Sequence, residues 1–259
     1  MDRYDFSDVR GQEAAIETIA GAVARHVRDP GSVAILLEGP PGTGKTMIAR
    51  RVVSILPELG DFDREWLAAE YQGVFSTRPK GIDRPFRAPH HTVSQAAMTS
   101  GVLPVSHRPV AAPCRCKRAV NGDCAFHTLP AGPVARAGEL LLARHGVLFL
   151  DEFPEFMLAA IEGIGEAYAR MSDRTRPLLV LAANHCPCGW HGMSQRACEC
   201  PEGAIVRYRE RMLKLMRALR LADEQIVRAR VEAVSMADLR GIARGVSSQE
   251  IRARIAGCP

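Results

Sequence analysis

Gly39-Pro40-Pro41-Gly42-Thr43-Gly44-Lys45-Thr46 is the stretch that decides the fold. It fits G-x-x-x-x-G-K-[ST] at every position, a pattern whose glycines let main-chain N–H groups turn inward around a phosphate. Just upstream, Val33-Ala34-Ile35-Leu36-Leu37 is an unbroken apolar run that suits a buried parallel strand. Just downstream, Met47 to Leu56 returns to helical spacing. A helix starting near Lys45 adds the positive end of its dipole to the phosphate site. Lys45 then acts as a point charge for the β- and γ-phosphates, and Thr46 offers a hydroxyl to Mg²⁺. An ordinary glycine-rich turn would not require Lys45 and Thr46 together.

Working outward, residues 12–27 read as a helix with Ala15, Ile16, Ile19, Ala22 and Val23 on one face, followed by the turn Asp29-Pro30-Gly31. Two further buried strands are expected at Gly146 to Leu150 and Leu178 to Ala183, with a helix from Met157 to Met171 between them. The first ends in Asp151-Glu152, two acids directly after an apolar run, expected on a strand neighbouring the phosphate loop. Asp151 is expected to hold Mg²⁺ through water, and Glu152 to orient and deprotonate the attacking water. Asn184 ends the other strand, where its amide reaches the γ-phosphate or the same water. Strands alternating with helices imply an α/β fold, a mostly parallel sheet with helices on both faces.

Past Ile205, Tyr208, Met212, Leu215 and Leu219 share a helical face, and Val227 to Ala233 alternates like an edge strand. Ser235-x-x-Asp238 and Ser247-x-x-Glu250 announce two short helices, the second through a capping box. The expected division is a nucleotide-binding core over 1–234, with a Cys- and Pro-rich insertion at 100–135 and a Cys-rich loop at 185–203. Residues 235–259 form a short helical segment.

The chain has 259 residues, 47% apolar and 24% charged, which is a globular composition with enough length for a full core. Its apolar runs fall far short of the ~20 residues a spanning helix needs, so no membrane partner is expected. Met1-Asp2-Arg3-Tyr4-Asp5 lacks the apolar stretch of a signal peptide, so a cytoplasmic protein is expected. The formal charge of +5 is uneven: residues from Ile205 onward carry +6 and those before it −1. A basic C-terminal stretch suits DNA or another anionic partner, and equally a solvated helix surface. Thirty arginines against four lysines point to biased codon usage, so arginine abundance alone says little.

Seven of the eight cysteines fall into two groups. Cys186-x-Cys188-x₉-Cys198-x-Cys200 places four thiols in one loop, and Pro187, Gly189 and Gly192 allow it to wrap around an ion. Thiolates suit tetrahedral Zn²⁺; reduced structural thiols and redox chemistry are the alternatives. Cys114-x-Cys116-x₇-Cys124-x₂-His127 is a possible second zinc set inside the insertion, beside Arg115, Lys117 and Arg118.

Several stretches together resemble a known family. They are Phe6-Ser7-Asp8-Val9-Arg10-Gly11-Gln12, the loop from Gly39 to Thr46, Arg84-Pro85-Phe86-Arg87-Ala88-Pro89-His90-His91, and Gly146 to Phe156. Asn184-His185-Cys186-Pro187-Cys188-Gly189 and Ser247 to Arg252 add to them. The chain resembles the AAA+ ATPases of the magnesium-chelatase ATPase-subunit group, in the ComM/YifB-like branch associated with DNA branch migration during transformation. The resemblance implies a P-loop AAA+ core, ATP and Mg²⁺, and a hexameric ring, either a homo-oligomer or mixed with a related ATPase. Val9, Gly11 and Gln12 would line the adenine side, and many members of the branch carry a similar cysteine quartet. His90 and His91, adjacent on what reads as an extended segment, are expected to point to opposite faces, in packing or inter-subunit roles.

The departures from that family pattern shape the functional expectation. Asn184 follows Glu152 by only 32 positions, which leaves no room signalled for the pore-facing β-hairpin of the family. In Leu221-Ala222-Asp223-Glu224-Gln225-Ile226, Glu224 stands where the family has the arginine that reaches a neighbour's γ-phosphate, with Arg217 and Arg220 as the nearest replacements. The lid's sensor arginine and the accessory domain of the branch are expected to be missing from this sequence. An ATP-hydrolysing remodeller of nucleic acid or a protein complex is therefore weighed against a nucleotide-binding regulatory subunit with little turnover. A nucleic-acid-binding module acting through the basic C-terminal stretch is the third possibility.

Overall fold

The computed structural model describes residues 5–75, 84–100, 137–233 and 245–257. Five strands form one sheet: β1 (Ala34–Glu38), β2 (Phe86–Arg87), β3 (Val147–Leu150), β4 (Leu178–Ala183) and β5 (Ile226–Arg230). All pairs are parallel and the spatial order is β2-β3-β4-β1-β5. The apolar runs became the three central strands, as full burial on both faces demands. β5 is the edge strand the alternation announced, with Ala229 buried and Arg228 and Arg230 exposed. Arg228 reaches across to Glu38 at 2.8 Å.

One expectation about neighbours fails. The acid pair does not follow a strand adjacent to β1, because β4 lies between β1 and β3. β1 registers Leu37 against Ala182 of β4, and β4 in turn registers Leu181 against Leu150 of β3. The phosphate loop, Asn184 and the acid pair therefore leave three successive strands at the same sheet edge, the carboxyl ends where open α/β sheets bind ligands.

The helices are α1 (Glu13–Arg28), α2 (Lys45–Ile55), α3 (Asp61–Phe75), α4 (Gln95–Thr99), α5 (Glu139–Leu142), α6 (Leu158–Arg170), α7 (Glu202–Ala218) and α8 (Ser248–Gly257). Strand residues alternate between two cores, as the period of 2 dictates. Ile35, Leu37, Val147 and Phe149 meet Ile19, Val23, Ile48 and Val52 of α1 and α2. Ala34, Leu36, Leu148 and Leu150 meet Ile161 and Ile164 of α6 and Leu215 and Met216 of α7.

Ser247 caps α8 as its sequence announced: Glu250 accepts from the Ser247 amide at 2.9 Å, and the Glu250 amide donates to the Ser247 hydroxyl. Ile251 and Ile255 of α8 join the α1–α2 core. The Ser248 hydroxyl accepts from the Phe6 amide at 3.0 Å and meets Ser54 Oγ at 2.7 Å. Asp5 joins the two ends of the chain. Partial burial works against its charge, but donors from Ser7 and Ser248 prevail and hold its carboxyl below the usual range.

The segment between Glu152 and Asn184 holds a 3-10 turn, α6, another short turn and β4, with no hairpin. Among the described residues, no helix is long and apolar enough to cross a membrane. The second cysteine set, Cys114, Cys116, Cys124 and His127, lies outside the described residues, as do Ser235, Asp238 and Cys258.

Candidate functional site

The loop from Gly39 to Gly44 leaves β1 and delivers Lys45 as the first residue of α2. Gly44 caps that helix at φ 89, a left-handed conformation that costs glycine least. The Lys45 ammonium donates to Gly39 O at 2.8 Å, Pro40 O at 2.7 Å and Asn184 Oδ1 at 2.9 Å. Burial lowers its pKa to about 8, against the opposing pull of the Asp151 charge. Thr46 donates its hydroxyl to Asp151 Oδ2 at 2.7 Å. The alcohol and carboxylate expected to serve one Mg²⁺ thus already face each other, and such oxygen donors suit that hard cation.

Lys45, Asp151, Glu152, Asn184, Pro187 and Tyr208 line one open cleft of about 250 Å³. Tyr208 was legible only as part of the apolar face of α7. Its hydroxyl accepts from the Asn184 amide at 3.2 Å, and burial pushes it up to about 12, so it stays a neutral partner.

Val9 is buried and Gly11 has φ 68. The Gln12 amide is committed to the main chain just past β5: Nε2 donates to Glu232 O at 2.7 Å, and Oε1 accepts from the Glu232 amide at 3.0 Å. This clamp joins the start of α1 to the end of β5.

The Arg84–His91 stretch builds the outer strand and then turns toward Glu152. Arg84 donates to the carbonyls of Pro57 and His145. Phe86 stacks on Phe149 at 5.8 Å, and Arg87 holds Glu139 of α5 through two bonds of 2.7 and 2.8 Å. The histidines do not diverge as an extended segment would make them. A turn closes between His90 O and the Val93 amide at 2.9 Å, and the two rings lie on the same side with centroids 4.0 Å apart. His91 Nδ1 sits 3.2 Å from Glu152 Oε2. Glu152 itself has φ 50, left-handed and uncommon for a residue with a side chain.

The quartet comes together as its spacing suggested. The sulfurs of Cys186, Cys188, Cys198 and Cys200 all lie within 4.8 Å of one another and form no disulfide. Cys186 is 3.4 Å from Cys188 and 3.7 Å from Cys198, and Cys188 is 3.6 Å from Cys198. Zinc–sulfur bonds near 2.3 Å give a tetrahedron whose edges are about 3.8 Å, so the donor set fits Zn²⁺. Main-chain N–H groups of Trp190 and Glu199 pull the Cys188 thiol down to about 6. The loop also touches the phosphate loop. Gly189 has φ 88, and a Cβ there would stand 2.2 Å from Pro41 Cδ.

Glu224 lies in a 3-10 turn, where its carbonyl accepts from Arg25 at 3.2 Å. Arg220 pairs with Glu166 at 2.9 Å, and Arg217 is exposed in the last turn of α7.

Comparison with known proteins places the chain among its relatives. YifB of Escherichia coli (strain K12), itself uncharacterized, is 31% identical over 81% of this chain and 37% of its own length. Competence protein ComM of Haemophilus influenzae is 32% identical over 71% of this chain and 32% of its own. The uncharacterized protein Mb2921c of Mycobacterium bovis is 31% identical over 97% and 44%. This chain thus spans less than half the length of these curated relatives.

Among solved structures, the complex of magnesium chelatase subunits BchI and BchD, known from a single-particle cryo-EM reconstruction, gives a TM-score of 0.41 at 16% identity, over 83% of this chain and 73% of that one. NtrX from Brucella abortus gives 0.40 at 13%, over 91% and 40%. Both likenesses are too distant to carry an argument. The profile of the family described as magnesium chelatase, subunit ChlI, matches residues 5–123 and 121–225. With that match over most of its length and relatives above 30% identity, this chain belongs to the magnesium chelatase ChlI family.

Proposed function

We propose that this chain binds Mg-ATP and hydrolyses it, as one subunit of an AAA+ ring that remodels a nucleic-acid or protein complex. The observation that carries the reading is the convergence of Lys45, Thr46, Asp151, Glu152 and Asn184 from three strand ends on one cleft. Lys45 and the loop amides hold the β- and γ-phosphates, and Asn184 orients the lysine ammonium. Thr46 and Asp151 would hold Mg²⁺, which supplies charge neutralisation at the phosphate oxygens. Glu152 accepts a proton from the water that attacks the γ-phosphorus, and the bond to the β–γ bridging oxygen breaks. Catalysis of this kind is positioning and electrostatics, and the cleft offers both.

The ring and a nucleic-acid partner are carried over from the resemblance to AAA+ ATPases, which the family match supports. The exposed arginines of α7, Arg207 and Arg209 among them, favour an anionic partner. Cys186, Cys188, Cys198 and Cys200 would hold a structural Zn²⁺, with all positions filled by protein and none left for chemistry. The alternative, a regulatory subunit with little turnover, is favoured by Glu224 standing where the family has its trans-acting arginine. A trans arginine contributes about 10³ to 10⁵ in rate.

Calorimetry with Mg-ATP and steady-state phosphate release across protein concentrations test the reading. Turnover that rises with concentration and vanishes in Glu152→Gln is expected. Nucleotide binding without turnover at any concentration selects the regulatory subunit, and absence of binding ends both.

A further inference from the structure

We propose that His91 is a positioning residue for Glu152: it fixes the carboxylate that activates the attacking water. This rests on the hydrolase reading above and adds to it a residue from the turn that follows β2.

A glutamate that works as general base must present one oxygen to a water held in line with the γ-phosphorus, and small misplacements cost rate steeply. The Glu152 side chain is 64% exposed, so packing alone does not orient it. Its left-handed backbone, at φ 50 and ψ 44, is a strained conformation of the kind that concentrates at working sites. His91 supplies the missing constraint. Its Nδ1 lies 3.2 Å from Oε2, a contact that engages one carboxylate oxygen and leaves the other for water.

His91 is itself held. Its ring meets the His90 ring at 4.0 Å and stands edge-on to the buried Phe156 at 6.4 Å. His90 is fixed in turn by Thr92, whose hydroxyl lies 2.9 Å from Nδ1. The turn that carries both rings follows β2, and β2 pairs with β3, the strand that ends in the acid pair. Arg84 and Arg87 anchor β2 from either side, so the Arg84–His91 stretch delivers an imidazole to the base of the neighbouring strand.

The test uses the full chain and separates orientation from folding. His91→Leu is expected to lower kcat by about 10- to 100-fold, part of the 10² to 10⁴ that general-base catalysis supplies, while Mg-ATP affinity stays within about 3-fold. Asparagine places an amide nitrogen where Nδ1 stands, so His91→Asn is expected to recover most of the rate. His91→Gln, whose nitrogen falls at the Nε2 reach, is not. An unchanged kcat in His91→Leu overturns the proposal. So does a parallel loss of nucleotide affinity, or an asparagine variant no better than leucine.

A wild-type chain without phosphate release would refute the hydrolase reading and leave the contact to be read directly. The side-chain ¹⁵N resonances of His91 should then report a protonated Nδ1 that shifts in Glu152→Ala. Resonances indifferent to that change overturn the proposal.

Discussion

The 2.7 Å bond from Thr46 to Asp151 joins the start of α2 to the end of β3, residues 105 positions apart. Thr46→Ala is expected to weaken Mg-dependent nucleotide binding about tenfold while leaving Mg-free binding nearly unchanged, read by calorimetry with and without chelator. The convergence of Lys45, Thr46, Asp151, Glu152 and Asn184 on one cleft was legible because the phosphate and metal chemistry proposed for them fixes both residue type and spacing. His91 and Tyr208 were not. The rule that adjacent side chains oppose each other holds for extended chain, and the turn from His90 to Val93 suspends it. Tyr208 kept the helical spacing of a core residue and carried no mark of the hydroxyl's partner, the Asn184 amide.

Among the elements, the cysteine loop and the phosphate loop are pressed together at Gly189 and Pro41. Gly189→Ala adds a methyl with no space and a strained φ, so it is expected to displace Pro41 and reduce nucleotide affinity severalfold. Zinc content, measured by a chromophoric chelator, should stay at wild-type stoichiometry. Cys198→Ser should instead lose the metal.

The long strands were readable as apolar runs, and α1, α2, α6 and α7 by their period. β2 has two residues, too few for any period, and α3 opens with Asp61-Phe62-Asp63-Arg64-Glu65, too polar for an obvious stripe. Their places are set by distant partners: Arg87 by Glu139, and Tyr71 of α3 by the Leu142 carbonyl at 2.7 Å.

For the fold as one cooperative unit, two buried histidines contribute strongly to the response to acid. Burial lowers His26 from 6.5 to about 4, with the Arg84 charge adding to it. Burial does the same to His145, helped by Arg84, Arg144 and Arg174 and opposed by Asp63. Both rings are neutral in the fold, so the unfolded chain binds more protons between pH 4 and 6.5. Their contribution is complete above about 6.5 and is lost as pH falls through 4. Denaturant titration should show stability dropping by about 2 kcal/mol per histidine between pH 7 and 5. His26→Gln should flatten that slope by about half.

The sheet order has a consequence for how the molecule comes into being. The strand that launches the phosphate loop finds its two neighbours only when Leu178 and Ile226 have been made, because Ala34 pairs with Leu179 on one side and Ile226 on the other. Contacts of such sequence separation close late. During synthesis or refolding, helices form while the nucleotide loop still has no floor beneath it. A fluorescent ATP analogue added to refolding chain should therefore light up last, after circular dichroism has finished changing.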